Sequence, residues 1–387
     1  MDFSITSEQE AIRTEVIQFA KKHLNNEDDL DIFSRDAWKK LSDFGLLGLI
    51  VSEEYDGMGA CYLTAAIVME ALGYASKNNG LVFAVTNHIW VGLNLVYLYG
   101  SKEIKQKYVK KMVHGQLIGA IAITEADAGS DAHAMKSTAV DAGNEYVLNG
   151  SKMFISNGNI ADIFIVFAKI DSLPNKSITA FVVEKSFEGV NVGNEIEKMG
   201  LNSCPMCEVS FQNCRIPKEN ILGSVGAGDI LMRSALEWER CYEFAPHVGA
   251  MQRVLESCVV YANQRSQFGN QLTSFQAITH KIADMKMKVE LARLMLYKIA
   301  WQKNKGKIAF IEASIFKLFV SESYIQTCRD ALQIFGAYGY TTEYGIEREM
   351  RDALACSIYS GTNEMQRNTI FMLYNMEMQS QKRMGDI

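Results

Sequence analysis

The hydrophobic period changes twice along these 387 residues, and that constrains the fold more than any motif does. From Ser4 to about Val113 apolar residues recur at helical spacing. Ile12, Val16 and Phe19 share one face of the 8–20 stretch, with Thr6 or Ser7 as N-cap. Near Leu117 the pattern turns strand-like: the runs 118–124, 145–150, 163–169, 178–183 and 208–211 are short, β-rich and bounded by turn residues. After Gly223 to Gly228 helical periodicity returns and continues almost to the end. This order predicts an α+β fold: an N-terminal helical domain (1–116), a central antiparallel β domain (117–225) and a C-terminal helical bundle (226–387). No strand leads into a GxGxxG turn, so a doubly wound nicotinamide-binding fold is not expected.

With 48% hydrophobic residues the chain can bury sizeable cores. A net charge of −6, with no block of basic residues, argues against a nucleic-acid surface. The opening, Met1 to Glu10, has neither the basic nor the apolar region of a leader, and no stretch reads as apolar for long enough to cross a bilayer. A cytoplasmic protein away from membranes is the expectation. Eight cysteines include one cluster, Cys204, Cys207 and Cys214, but the nearest histidine is His247, across a loop and a new helix. Reduced thiols are expected, with no metal.

Several short motifs carry more. Thr124-Glu125-Ala126-Asp127-Ala128-Gly129-Ser130-Asp131 leaves a strand as a small-residue loop whose backbone N–H groups can approach a carbonyl-rich or anionic ligand, with hydroxyls at Thr124 and Ser130. Further along stand Tyr55-Asp56-Gly57, Lys152 to Gly158, Lys198-Met199-Gly200-Leu201, Arg265-Ser266-Gln267-Phe268-Gly269, Gln333 to Tyr340, and Ile358-Tyr359-Ser360-Gly361-Thr362-Asn363-Glu364. Together, in this order, they resemble the signatures of the acyl-CoA dehydrogenase family of flavoproteins, and the resemblance covers nearly the whole chain. It implies FAD as cofactor and a homotetramer. Ile121, Ile123, Thr124, Gly129, Ser130, Phe154 and Ser156 would lie along the flavin. Arg265, Gln267, Phe268, Gln333 and Gly336 would reach the FAD of a neighbouring subunit, Thr362 and Gln366 would approach the adenosine and pyrophosphate half, and Phe275 would also bind the cofactor.

In the family the C-terminal run carries a glutamate that removes the α-proton of an acyl thioester. Here Ser360 stands in its place, and a serine hydroxyl does not hold such a proton near neutral pH unaided. In Leu236 to Phe244, read as the start of a helix, Glu239 falls where some members carry the base on an inner helix. Glu243, one turn on, is held in reserve; like-charge repulsion would raise the pKa of one of the two. Read without the resemblance, these acids are a solvated helix start. The backbone N–H of Ser360 is expected to survive the change as a donor to the thioester carbonyl.

The Ser before Gly-Thr and the pair Trp238-Glu239 resemble the branch acting on prolyl groups held on carrier proteins in biosynthetic clusters. The implied substrate is an acyl or aminoacyl thioester on a phosphopantetheine arm, which a carrier protein and CoA share. Lys102, Lys105, Lys107, Lys110 and Lys111 form either a carrier-facing patch or a solvated helix face. Two other readings stay open: a short- or branched-chain acyl-CoA dehydrogenase that passes electrons to an electron-transfer flavoprotein, or to oxygen, and a non-catalytic flavin and thioester binder.

Overall fold

Capping residues set where the first helices begin, and the computed structural model describes residues 4–26, 30–172 and 177–385. Residues 1–3, where the leader reading starts, lie outside them. In chain order the elements are α1 (Ser7–His23), α2 (Arg35–Asp43), α3 (Tyr62–Ala75), α4 (Asn79–Asn87), a π turn (His88–Leu93), α5 (Asn94–Tyr99) and α6 (Lys102–Val113). Strands follow: β1 (Gly119–Ala122), β2 (Thr138–Asp141), β3 (Glu145–Ser156), β4 (Ile163–Ile170), β5 (Ile178–Glu184), β6 (Val190–Glu195), β7 (Met206–Pro217) and β8 (Ile221–Leu222). The chain then forms α7 (Gly228–Trp238), a second π turn (Glu239–Glu243), α8 (Ala245–Gln264), the hairpin β9 (Ser266–Gln267) and β10 (Asn270–Gln271), α9 (Gln276–Asn304), α10 (Phe310–Phe335), α11 (Ala337–Tyr340), α12 (Ile346–Leu354) and α13 (Asn363–Gly385). Of the two expected caps of α1, Thr6 acts: its Oγ1 accepts from Gln9 N at 3.2 Å while Gln9 Oε1 accepts from Thr6 N at 3.0 Å.

These elements assemble into two units, and the N-terminal helical stretch contributes to both. One comprises Met1–Asn25, Tyr62–Asn79 and Arg240–Ile387. In it α3 lies directly on α8, because a Cβ at Gly73 would collide with the Pro246 carbonyl and one at Gly249 with the Glu70 carbonyl. Buried ion pairs tie its helices: Arg293 to Glu70 and Arg253 to Glu349, each at 2.7 Å. The second unit, Asn26–Cys61 and Gly80–Glu239, holds the sheet. Its strand order is β6-β7-β3-β2-β4-β5-β8, with β1 also on β4. The sheet is antiparallel except where β1 and β2 each run parallel to β4. An all-antiparallel sheet was the simpler expectation. The difference arises because β4 passes its neighbour β3 and settles beside β2, so the hairpin rule does not apply to it. Ile163, Ile165 and Phe167 pack into one buried cluster while Phe164, Val166 and Ala168 pack into another, which explains why β4 reads as an unbroken apolar run.

Two expectations change. The stretch Asn79–Tyr99 is 21 residues long and its most apolar window has a mean hydropathy of 1.5, enough by length and composition to cross a membrane, contrary to the sequence reading. In the fold it is a core helix, 89% buried in its most apolar window. It is broken at the π turn, where Asn94 N donates to the Ile89 carbonyl five residues back. The helix read as starting near Leu236 starts instead at Gly228, so Glu237 and Glu239 stand at its end, where the dipole offers a carboxylate no help.

Candidate active site

In the sheet-bearing unit, β1 runs into the 124–131 loop. The loop closes as a tight turn, Glu125 N donating to the Ala128 carbonyl at 3.0 Å and Ala128 N returning to Glu125 at 3.1 Å. Glu125 turns inward and accepts from Lys136 N (2.6 Å), Ser137 N (3.0 Å), Ser137 Oγ (2.6 Å) and Lys152 Nζ (2.8 Å). Burial would raise its carboxyl, but the Lys152 ammonium and the Ser137 and Lys136 donors outweigh burial and hold it at about 2. Lys152, fully buried, also donates to the Ile123 carbonyl at 3.1 Å. This pair locks Ile123 and Thr124 to β3, as does the bond from Met153 N to the Thr124 carbonyl at 2.8 Å.

The next residue, Phe154, sits at φ +60° in a β-bulge and is 55% exposed. A bulky residue in the left-handed region with its ring uncovered is strained and presented for contact. Gly129 and Ser130 are exposed, and Ile121, Ile123, Thr124 and Ser156 are half-buried. All seven expected flavin-lining residues therefore lie along β1, the loop after it and the end of β3. Cys204, Cys207 and Cys214 are buried, and desolvation pushes the thiols of Cys207 and Cys214 up to about 11. Among the described residues no three His, Cys, Asp or Glu side chains converge as metal ligands.

In the other unit, the turn Tyr359–Thr362 is held from several sides. Ser360, at φ +56°, donates from Oγ to Glu243 Oε2 at 3.2 Å, and its carbonyl accepts from Arg240 Nε and Gln366 Nε2, each at 3.2 Å. Gln366 Nε2 also reaches the Gly361 carbonyl at 2.7 Å. Tyr359 Oη and His247 Nε2 are hydrogen-bonded at 2.6 Å, with Cys356 Sγ 3.4 Å from the same nitrogen. Burial holds that imidazole down to about 3, so it is neutral. At the start of α13, Asn363 Oδ1 accepts from Lys317 Nζ and Ser321 Oγ, each at 2.9 Å. Among the described residues the Ser360 N–H donates to no backbone carbonyl. Glu243 is 2% exposed and Glu239, the last residue of the sheet-bearing unit, 8%. Neither is a solvated acid.

Arg265, Gln267 and Phe268 stand on the β9–β10 hairpin; Phe268 is 91% exposed, and the Arg265 guanidinium lies 5.8 Å from the Tyr338 ring centre. Phe275 packs edge-on to Phe268 at 6.3 Å. Gln333 and Gly336 are exposed at the end of α10, where Gly336 has φ +62° and ψ −134°, a conformation open only to glycine. Thr362 is half-buried and Gln366 fully buried, its Oε1 reaching no hydrogen-bond partner.

Each unit taken by itself carries features that suit part of a flavin dinucleotide. Uncovered aromatic rings at Phe154 and Phe268, backbone at Gly129 and Gly336 where an added Cβ would meet nothing within 4 Å, an exposed arginine and a buried carbonyl oxygen left over at Gln366 are what a planar, anionic, hydrogen-bonding ligand requires. Sequence reading missed the groups beneath: Glu125 with Lys152, Arg240, His247 and Lys317. Their one signal was a lone charged or polar residue inside an apolar run, as in Ile315-Phe316-Lys317-Leu318-Phe319.

Comparison with known proteins gives the same answer throughout the chain. Family models for the N-terminal, middle and C-terminal domains of acyl-CoA dehydrogenase match residues 6–116, 120–214 and 226–373. An L-prolyl-[peptidyl-carrier protein] dehydrogenase of Serratia sp. is 36% identical over 377 residues, 96% of this chain and 97% of that protein. The crystal structure of the prolyl acyl carrier protein oxidase AnaB superposes with a TM-score of 0.94 at 40% identity, covering 96% of this chain and all of that one. The FAD complex of PigA does so at 0.94 and 36%, covering 97% and 100%. The chain belongs to the acyl-CoA dehydrogenase family and is an FAD-dependent oxidoreductase that acts on acyl thioesters.

Proposed function

We propose that this enzyme oxidises an aminoacyl thioester, of the prolyl type, carried on the phosphopantetheine arm of a carrier protein, with Glu243 as the base. One observation carries the assignment of the base: the residue in the family's vacated position, Ser360, hydrogen-bonds Glu243, which is buried. This proposal departs from the expectation drawn from sequence, which put Glu239 first and Glu243 in reserve. The prolyl reading draws on the Serratia relative and on AnaB, whose names carry that substrate.

Glu243 takes the proton from Cα. The Ser360 hydroxyl orients its carboxylate, and the free Ser360 N–H meets the thioester oxygen, where charge develops as the proton leaves. Thr124, Phe154 and Ser156, with Arg265, Gln267, Phe268, Phe275, Gln333, Gly336, Thr362 and Gln366 from this or a neighbouring subunit, would hold FAD, which would supply the hydride acceptor. Proton and hydride together remove two electrons and give the α,β-unsaturated thioester; for a prolyl group this enamine tautomerises to the cyclic imine.

Anaerobic bleaching of the flavin by prolyl-loaded carrier protein tests the substrate. Bleaching by butyryl-CoA alone would favour the acyl-CoA reading, which the family models' description supports. A Glu243→Gln variant should lose about a thousandfold or more in bleaching rate, and retention of the wild-type rate there with loss in Glu239→Gln would return the role to Glu239. Homotetramer assembly, a carrier docked near Lys102 and Lys111, and oxygen or a flavoprotein as electron acceptor complete the proposal. Lys107 and Lys110 are already paired with Glu184 (2.7 Å) and Asp56 (2.9 Å).

A further inference from the structure

Asn94 opens α5, directly after the π turn of the core helix, and is 1% exposed. Both ends of its amide, Oδ1 and Nδ2, are buried without a hydrogen-bond partner among the described residues. An interior amide left wholly unmatched is rare and costly, so a group that matches it is expected to arrive from outside.

Its surroundings within the sheet-bearing unit say where. The π turn before it lies against β1, the strand that carries Ile121 toward the flavin loop. Gly92 approaches Gly119 so closely that a Cβ on it would stand 3.1 Å from the Gly119 backbone, and Gly119 N donates to His88 Nδ1 at 3.0 Å. His88 Nε2 in turn donates to the Met112 carbonyl at 3.1 Å, and burial holds the ring at about 4, neutral and fixed in this tautomer. On the other side Trp90, one turn before Asn94, stacks on Trp238 with ring centres 6.0 Å apart and planes at 14°. Trp238 is the last residue of α7, immediately before Glu239. The turn that leads into Asn94 thus packs through Gly92 on the strand entering the 124–131 loop and through Trp90 on the last residue of α7.

We propose that Asn94 is a specificity residue of this enzyme: its Oδ1 accepts from an N–H on the acyl group, and its Nδ2 donates to an oxygen of the same thioester. An all-carbon acyl group offers the first of these atoms nothing, so the pocket wall disfavours it. The inference rests on the aminoacyl reading above and deepens it, because it names the feature of the substrate that is recognised.

The test uses two pantetheine thioesters of equal shape, prolyl and cyclopentanecarbonyl, with the FAD-loaded enzyme under anaerobic conditions. Wild-type enzyme should bleach with the prolyl compound about a hundredfold or more faster, since a site built around a hydrogen bond rejects the analogue lacking it strongly. In Asn94→Leu that ratio should collapse to within about tenfold, and the substrate-free melting temperature should rise, because an unmatched amide has left the interior. An unchanged ratio would overturn the role of Asn94 and leave the aminoacyl reading standing. Faster bleaching of wild-type enzyme by the cyclopentanecarbonyl compound would overturn both. Should Asn94→Leu fail to load flavin, Asn94→Ser gives the same decision: a retained hundredfold ratio refutes the proposal, and a collapsed one supports it.

Discussion

Replacing Lys152 by Met should destabilise the sheet-bearing unit and loosen the flavin loop together. The carboxyl of Glu125 falls from its ordinary 4.5 to about 2 in the fold, which corresponds to roughly 3 kcal/mol in favour of the folded state at neutral pH. The two halves of the pair disagree, because burial drives the Lys152 ammonium down from its ordinary value while Glu125 only partly restores it. Desolvation of the lysine therefore offsets much of the carboxylate's gain, and the net worth of the intact pair is about 1 kcal/mol. Breaking it is another matter. With Lys152 gone, Glu125 is left 7% exposed with only Ser137 and the Lys136 N–H for company, and such an uncompensated carboxylate costs about 3–5 kcal/mol.

Urea unfolding at pH 7, followed by near-UV circular dichroism and by flavin fluorescence, measures both effects. The Lys152→Met midpoint should fall well below wild type, with weaker FAD retention. The double variant Lys152→Met with Glu125→Gln should recover most of the loss. Because the folded value of Glu125 is depressed, its contribution is complete above about pH 4.5 and is lost as pH falls toward 2. The gap between wild type and Lys152→Met should accordingly narrow over that window. A Lys152→Met protein that unfolds with wild type and keeps its flavin would refute the reasoning.

Three further outcomes are expected. His247→Phe removes the hydrogen-bond partner of the Tyr359 hydroxyl and should slow anaerobic flavin reduction by about tenfold, whereas His247 itself, held at about 3, should leave no inflection in the wild-type rate between pH 5 and 8. Lys317 is buried, and burial lowers it to about 8. Its folded value lies below the unfolded one, so wild-type stability should gain as pH rises from 8 toward 10.5, and Lys317→Met should flatten that gain in urea titrations. Arg265→Ala should weaken FAD binding, seen as faster flavin loss on gel filtration, with little change in the melting of the flavin-free protein.

The sequence made the elements readable because their periods differ, and the site partly so. Phe154, Arg265, Gln333 and Thr362, which the proposal places at the flavin, stand in contiguous motifs, as residues of a ligand-touching loop do. The groups that hold those loops come from elsewhere: Lys152 reaches back to Glu125, and Arg240 and Glu243 reach Ser360 across more than a hundred residues. No local pattern reports such a meeting. Strand direction was hidden for a similar reason, as β4 pairs with β2 and not with β3, the strand just before it. The apolar run at 79–99 was misjudged because burial within a protein core and burial in lipid ask the same composition of a helix.

The turn at His88–Leu93 holds one more residue than an α-helix would use. The π turn takes up its extra residue locally, so deleting that residue would leave Asn94 in place, whereas a deletion in the α-helical stretch before the turn would swing Asn94 by about 100° around the axis relative to the residues ahead of the cut. A polar wall would become an apolar one without any side chain being exchanged. Substrate choice in this chain is thus open to change by length as well as by identity.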